Sequence, residues 1–172
     1  MNRRILTAVL AMAVAVGFFA GTPANGADSL YDRATAKKLE PSMLSIFGPK
    51  ANGIRYDKRM IRAAQIAQER ARAHSVARCW RYVKDALVQA EVIDTRPTTG
   101  YAKQAGEELI SKYGFQRIRV NDPYKAPIGS ILVYGGKGAG HVEFRTPRGF
   151  VSDFVSETPS KRPLIGVYVK PS

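Results

Sequence analysis

Residues 127–155 read PIGSILVYGGKGAGHVEFRTPRGFVSDFV. Three runs in it, SILVY, HVEFRT and GFVSDFV, are rich in β-branched and aromatic residues and are separated by glycine and proline, which predicts strands joined by turns. TPRG at 146–149 is a tight-turn signal, with Pro147 at the second turn position and Gly149 in a left-handed one. Working outward, FQRIRV at 115–120 and LIGVYVK at 164–170 have the same texture. Together they predict about five antiparallel strands in the C-terminal half.

The half before it changes period. DKRMIRAAQIAQERARAH (57–74) places Met60, Ile61, Ala64, Ile66, Ala67 and Ala71 at helical spacing, with Asp57 as a candidate N-cap. Ser75 then reads as a second N-cap, opening a helix over about 76–90 with Val76, Cys79, Val83, Ala86 and Leu87 along one stripe. YAKQAGEELISKYG (101–114) predicts a third helix ended by Gly114. Further back, SLYDRATAKKL (29–39) suggests one short helix in an otherwise irregular arm. Helices followed by strands describe one α+β domain, with N-terminal helices packed on an antiparallel sheet of about five strands. No internal repeat or low-complexity tract interrupts it.

The N-terminus bears on compartment. MNRR is positive, residues 5–20 form an uncharged, mostly apolar run, and GTPANGA supplies small residues for processing. This is the anatomy of a secretory signal peptide, and the run is short for a membrane span. The expected division is a signal peptide over 1–26, an N-terminal arm over 27–56 and a single catalytic domain over 57–172. The expected location is the periplasm or the outside of the cell, with no membrane span after processing and a monomer as the default state. Removal of 1–26 takes Arg3 and Arg4 with it and leaves 25 basic against 14 acidic side chains. An exported chain this basic is attracted to polyanions such as the cell wall and its anionic polymers; no specific nucleic-acid motif accompanies the charge.

The chain has one cysteine, Cys79, and two histidines, His74 and His141. One cysteine cannot form an internal disulfide in an oxidising compartment, so Cys79 is either an inert packing residue or a useful thiol. A cysteine in the first turns of a helix meets the positive end of the helix dipole, which favours a thiolate, and its N–H is free to face an oxyanion. A thiolate nucleophile needs an acid–base partner and a third group to orient it. His141 opens a strand directly after the glycine-rich GGKGAG, where Gly140 leaves room for a substrate backbone. A hairpin pairing Thr146 with Phe150 would set Asp153 diagonal to His141 on one face, which makes Asp153 the preferred orienter; Glu143 shares that face and competes for the role, and is otherwise a rim carboxylate or an ion-pair partner for a nearby arginine. Trp80 beside the cysteine is a candidate groove residue, or simply a packing residue. His74 lies among arginines and has no such context. Two separated histidines and one cysteine do not make a zinc site, and no cofactor or metal is expected.

These pieces resemble the CHAP and NlpC-type papain-like amidohydrolases. Cys79, Trp80, Tyr82 and Val83 match the family's cysteine followed by an aromatic and a YV-like pair at a helix start. Pro127, Gly129, Ile131 to Tyr134, Gly140, His141 and Val142 match its turn, apolar strand and GHV, and Asp153 falls at the third position. The likeness spans about residues 75–155 and departs from the family at Ser130, where an aspartate is usual, and at VAR (76–78). The resemblance implies hydrolysis of an amide bond in peptidoglycan, with Cys79 as nucleophile, His141 as general base and acid, Asp153 as orienter and the Cys79 N–H in the oxyanion hole. Two other readings share the fold: a catalytically silent wall-binding protein, and an exported toxin or transferase using the same cysteine chemistry.

Overall fold

The computed structural model describes residues 31–32, 37–38 and 49–172; the expected signal peptide lies outside the described residues. β1 (Tyr31–Asp32) and β2 (Lys37–Lys38) pair antiparallel, Tyr31 with Lys38 and Asp32 with Lys37. At these four residues the backbone is extended and paired where a helix was expected, and the rest of that expected helix lies outside the described residues. β3 (Lys50–Ala51) and β4 (Ile54–Arg55) form a second small hairpin. The residue after it, Tyr56, is buried and its hydroxyl donates to the Ile128 carbonyl at 2.8 Å.

Three α-helices follow. α1 (Arg59–Arg70) buries Met60, Ala63, Ala64, Ile66 and Ala67, close to the stripe its spacing predicts. Asp57 stands just ahead of it and accepts the Arg59 N–H at 2.8 Å, satisfying one of the donors a helix start leaves open. α2 (Cys79–Gln89) begins three residues later than expected, with Cys79 as its first helical residue. It buries Trp80, Val83, Lys84, Ala86 and Leu87, and packs on α1 and on strand β7 (His141–Thr146). α3 (Ala105–Tyr113) follows a single 3-10 turn at Ala102–Gln104 and ends at Gly114.

The sheet has six strands where five were expected. They are β5 (Gln116–Ile118), β6 (Ile131–Tyr134), β7, β8 (Gly149–Val151), β9 (Val155–Ser156) and β10 (Leu164–Val169). The order is β5-β10-β6-β7-β8-β9, antiparallel throughout. The sixth strand arises because GFVSDFV breaks at Ser152–Phe154, where the Ser152 N–H turns back onto the Phe154 carbonyl at 3.0 Å. The last strand also leaves the meander and inserts between β5 and β6. All four residues of β6 are buried, which explains why ILVY is continuously apolar where a half-exposed strand would alternate. The result is an α+β fold with helices on an antiparallel sheet.

The β7–β8 turn holds two residues, Pro147 and Arg148, and pairs Thr146 with Gly149. Gly149 has φ +127°, and a Cβ there would lie 2.3 Å from the Ser156 carbonyl oxygen. Gly149→Ala is therefore expected to destabilise the fold by about 2–3 kcal/mol, from backbone strain and a clash with β9. Thermal unfolding followed by circular dichroism checks it: a clear drop in melting temperature is expected, and an unchanged one would contradict the close approach.

Candidate active site

The nucleophile candidate is positioned by the chain just before α2. Val76, Ala77 and Arg78 form a tight arch in which Ala77 has φ +55°, a left-handed conformation that costs an L-residue about 1–2 kcal/mol. The arch points two N–H groups inward, and Asp153 fills it. Asp153 Oδ2 accepts from Val76 N at 2.7 Å, Arg78 N at 3.0 Å and Ser75 Oγ at 3.2 Å, while Oδ1 accepts from Ser152 Oγ at 3.1 Å. Successive backbone N–H groups around a left-handed residue make an anion-binding nest, and here the anion is a side chain of the same chain. The Asp153 carbonyl also accepts the Arg72 N–H at 2.8 Å, tying the other end of the same connection. Burial alone would raise the Asp153 pKa, but the N–H donors outweigh it and hold the carboxyl below its ordinary value. α2 then starts at once: Tyr82 N donates to the Arg78 carbonyl at 3.2 Å. The Cys79 N–H, as the first in the helix, precedes the intrahelical ladder.

His141 opens β7 opposite Tyr134 of β6. Gly140 lets the chain arrive there: its φ is +76°, and a Cβ would lie 2.5 Å from the Tyr134 carbonyl oxygen and 2.7 Å from Lys103 Cβ. The imidazole Nε2 donates to Glu143 Oε2 at 3.0 Å, two residues along the same strand face. Glu143 is itself fixed, its Oε1 accepting from Tyr134 Oη at 2.7 Å and from Ser160 N at 3.2 Å. Cys79 is the other side chain that acts on the ring. Burial works against a charged imidazole, yet the hydrogen bonds and Coulomb attraction of Cys79 and Glu143 prevail, and the His141 pKa rises to about 9. A buried hydroxyl beside a carboxylate resists ionisation as well, so the Tyr134 pKa is raised by desolvation and by Glu143.

The structure thus brings together Cys79, His141 and Glu143, with Tyr134 and Ser160 behind the carboxylate. It does not bring Asp153 to the imidazole. The sequence reading paired Thr146 with Phe150; the observed partner is Gly149, and this one-residue difference removes the parity that placed Asp153 diagonal to His141. The break at Ser152–Phe154 then turns the Asp153 carboxylate onto the 75–78 arch. Glu143, the competing candidate, is the carboxylate on the ring: it is buried at 3 % exposure and bonded to Nε2, so it does not line a rim. Trp80 is no groove residue either. It is 4 % exposed, and its Nε1 donates to the Thr99 carbonyl at 3.1 Å and Thr99 Oγ1 at 3.0 Å. Gly140 serves a close backbone approach to Lys103. Ser75 bonds Asp153 and accepts the Ala77 N–H at 3.3 Å, so it organises the arch and leaves the helix cap to Arg78. His74 is exposed in the same connection. Ser130 closes its own turn, its hydroxyl donating to the Pro127 carbonyl at 2.7 Å. The i, i+2 spacing of His141 and Glu143 was the legible signal for the true partner; nothing local in the sequence marks Ser160.

Among the described residues, no cluster of three or more His, Cys, Asp or Glu side chains could hold a metal ion. An α+β fold with a cysteine opening a helix against a histidine opening a strand defines a class, the CHAP and NlpC-type papain-like superfamily, and the chain has that fold. Among solved structures it is similar to a chain in the type VI native effector–immunity complex Tae3–Tai3 from Ralstonia pickettii. The two are 25% identical, the match covers 64% of this chain and 98% of that one, and the TM-score is 0.52. The selenomethionine form of the same complex is matched at 25% identity over 63% of this chain and 99% of that one, with a TM-score of 0.49. No protein-family model and no curated protein matches the chain.

The raised His141 pKa has a direct consequence. A histidine whose folded pKa lies above its unfolded value of about 6.5 adds stability that is fully present below pH 6.5 and is lost as pH rises through about 9. Ring titration by NMR is expected to give a midpoint near 9 for His141, and thermal stability is expected to fall across that window. In Glu143→Gln the midpoint is expected to drop by about one unit or more, because a neutral amide no longer favours the imidazolium. A midpoint in Glu143→Gln equal to that of the native chain would contradict the pairing.

Proposed function

We propose that the chain is an exported cysteine amidase or endopeptidase that hydrolyses an amide bond in peptidoglycan through a thioester on Cys79. The observation that carries this reading is the single cysteine of the chain, at the first residue of α2, acting on a histidine whose Nε2 is held by a buried glutamate. With Nε2 engaged by Glu143, Nδ1 is the nitrogen left to exchange a proton with the thiol. Cys79 Sγ attacks the amide carbonyl, and the oxyanion that forms faces the N–H groups at the start of α2. The imidazolium gives its proton to the leaving amine, and the C–N bond breaks. His141 then takes a proton from water, which attacks the thioester and returns a free thiol and a carboxylic acid.

In this reading Glu143 takes the orienting place that the family resemblance had put at Asp153. Asp153 is a positioning residue that sets the height and direction of the Cys79 helix start. The similarity to a chain of a type VI effector–immunity complex supports the hydrolase class and an exported site of action. The basic surface suits an acidic wall. The similarity to a chain of an effector–immunity complex favours a second reading, an exported toxin that acts on the wall of another cell.

Purified peptidoglycan incubated with the protein lacking residues 1–26 is expected to release soluble fragments whose masses name the bond cut. Cys79→Ala should release none, and His141→Ala should fall by at least about a thousandfold. Fragments from the Cys79→Ala chain, or none from the parent chain under reducing conditions, would overturn the reading. Two further variants separate the carboxylates. Glu143→Gln is expected to lower kcat by about 10- to 100-fold and to move the alkaline limb of the pH–rate profile downward. Asp153→Asn is expected to lower stability by about 1–3 kcal/mol and to leave that limb in place.

A further inference from the structure

The connection that leads into Cys79 and the first turns of α2 enclose an open cavity of about 740 Å³. Four guanidinium groups line it, those of Arg70, Arg72, Arg78 and Arg81, against one carboxylate, Asp85. Asp85 offsets part of that charge: its Oδ1 accepts from Arg96 Nε at 2.7 Å, and its Oδ2 pairs with Arg70 at 4.0 Å and Arg81 at 3.9 Å, while Arg70 Nη1 also donates to Gln89 Oε1 at 3.4 Å. Tyr82 arranges two of the cations. Arg72 Nε donates to its hydroxyl at 3.1 Å, and the Arg70 guanidinium lies over its ring, 6.0 Å from the centroid. Arg78 has no side-chain partner among the described residues. A concave surface with such an excess of oriented guanidinium forks suits a ligand that carries carboxylates or phosphates.

Its place matters as much as its charge. Tyr82 lies three residues after Cys79, a neighbouring position on the helix surface, and Arg78 immediately precedes the nucleophile. The cavity therefore adjoins the start of the helix that carries the thiol, within the span of one extended peptide. We propose that this cavity is a substrate subsite that binds the free carboxylates of the peptidoglycan stem peptide. The proposal rests on the peptidoglycan reading above. The guanidinium groups anchor the acidic part of the peptide beside the amide to be cut, which turns the cationic wall of the cavity into substrate selection.

Two measurements test it on the chain without residues 1–26. In calorimetric titration of Cys79→Ala with citrate, a tricarboxylate probe, binding is expected and is expected to weaken at least tenfold when Arg72→Gln and Arg78→Gln are added. No citrate binding, undiminished binding in that variant, or tighter binding of inorganic phosphate than of citrate would overturn a carboxylate subsite. In cleavage assays, soluble stem peptides with free carboxylates are expected to react at least tenfold faster than the same peptides amidated, and the ratio should fall toward one in Arg72→Gln/Arg78→Gln. Equal rates on acid and amide forms, or a preference the double variant keeps, would overturn the subsite and leave the peptidoglycan reading standing. Cleavage of neither form, and no fragments from intact wall, would overturn that reading and this one with it. Should the double variant fail to fold, Arg70→Gln/Arg81→Gln, at exposed positions on α1 and α2, reads the same ratio.

Discussion

The buried carboxylate of Asp153 braces the chain that leads into Cys79. It holds two backbone N–H groups of the 76–78 arch, so that a left-handed alanine is tolerated and α2 can begin abruptly at Cys79. Without an acceptor in that place, this exposed arch would lose charge-assisted hydrogen bonds worth about 1.5–3 kcal/mol each at most, less where water replaces them. Val76 and Arg78, whose N–H groups Asp153 holds, also line the arginine-rich cavity, and Cys79 follows directly, so one carboxylate braces both the cavity wall and the start of α2.

Glu143 acts on the other side. Its position two residues from His141 on β7 makes the contact nearly automatic, and Tyr134 and Ser160 leave it little choice of orientation. Two buried carboxylates thus divide two tasks, one aligning the helix that carries the sulfur and one charging the ring that faces it. The pKa directions follow from their partners: backbone and hydroxyl donors outweigh burial and hold the Asp153 carboxyl below its ordinary value, and Cys79 and Glu143 favour the His141 imidazolium over the cost of burying it.

Much of this was legible in the residues. Period two and period 3.6 separate the two halves of the chain, and the apolar stripe of 79, 83, 86 and 87 orients α2. Cysteine and histidine scarcity singled out Cys79 and His141. What was not legible turns on single-residue register. A turn of Pro147 and Arg148 pairs Thr146 with Gly149, whereas a longer turn would pair it with Phe150, and nothing in TPRG decides between them. The break at Ser152–Phe154 has no marker of its own, because Val151 and Val155 both suit a strand. Trp80 shows the same limit in packing: its burial depends on Thr99, nineteen residues away, itself fixed by the buried Glu108 through hydrogen bonds at 2.5 and 3.0 Å. Contacts at that sequence distance leave no local signal.

The central claim is that Cys79 carries the acyl group of the substrate. Acid-quenched mixtures of the protein and solubilised wall fragments, digested and read by mass spectrometry, test it most directly. The account predicts an acyl adduct on the peptide that contains Cys79, removed by hydroxylamine and accumulating when hydrolysis is slowed in Glu143→Gln. Turnover without any adduct on that peptide, or an adduct that forms equally well in the unfolded chain, would contradict it.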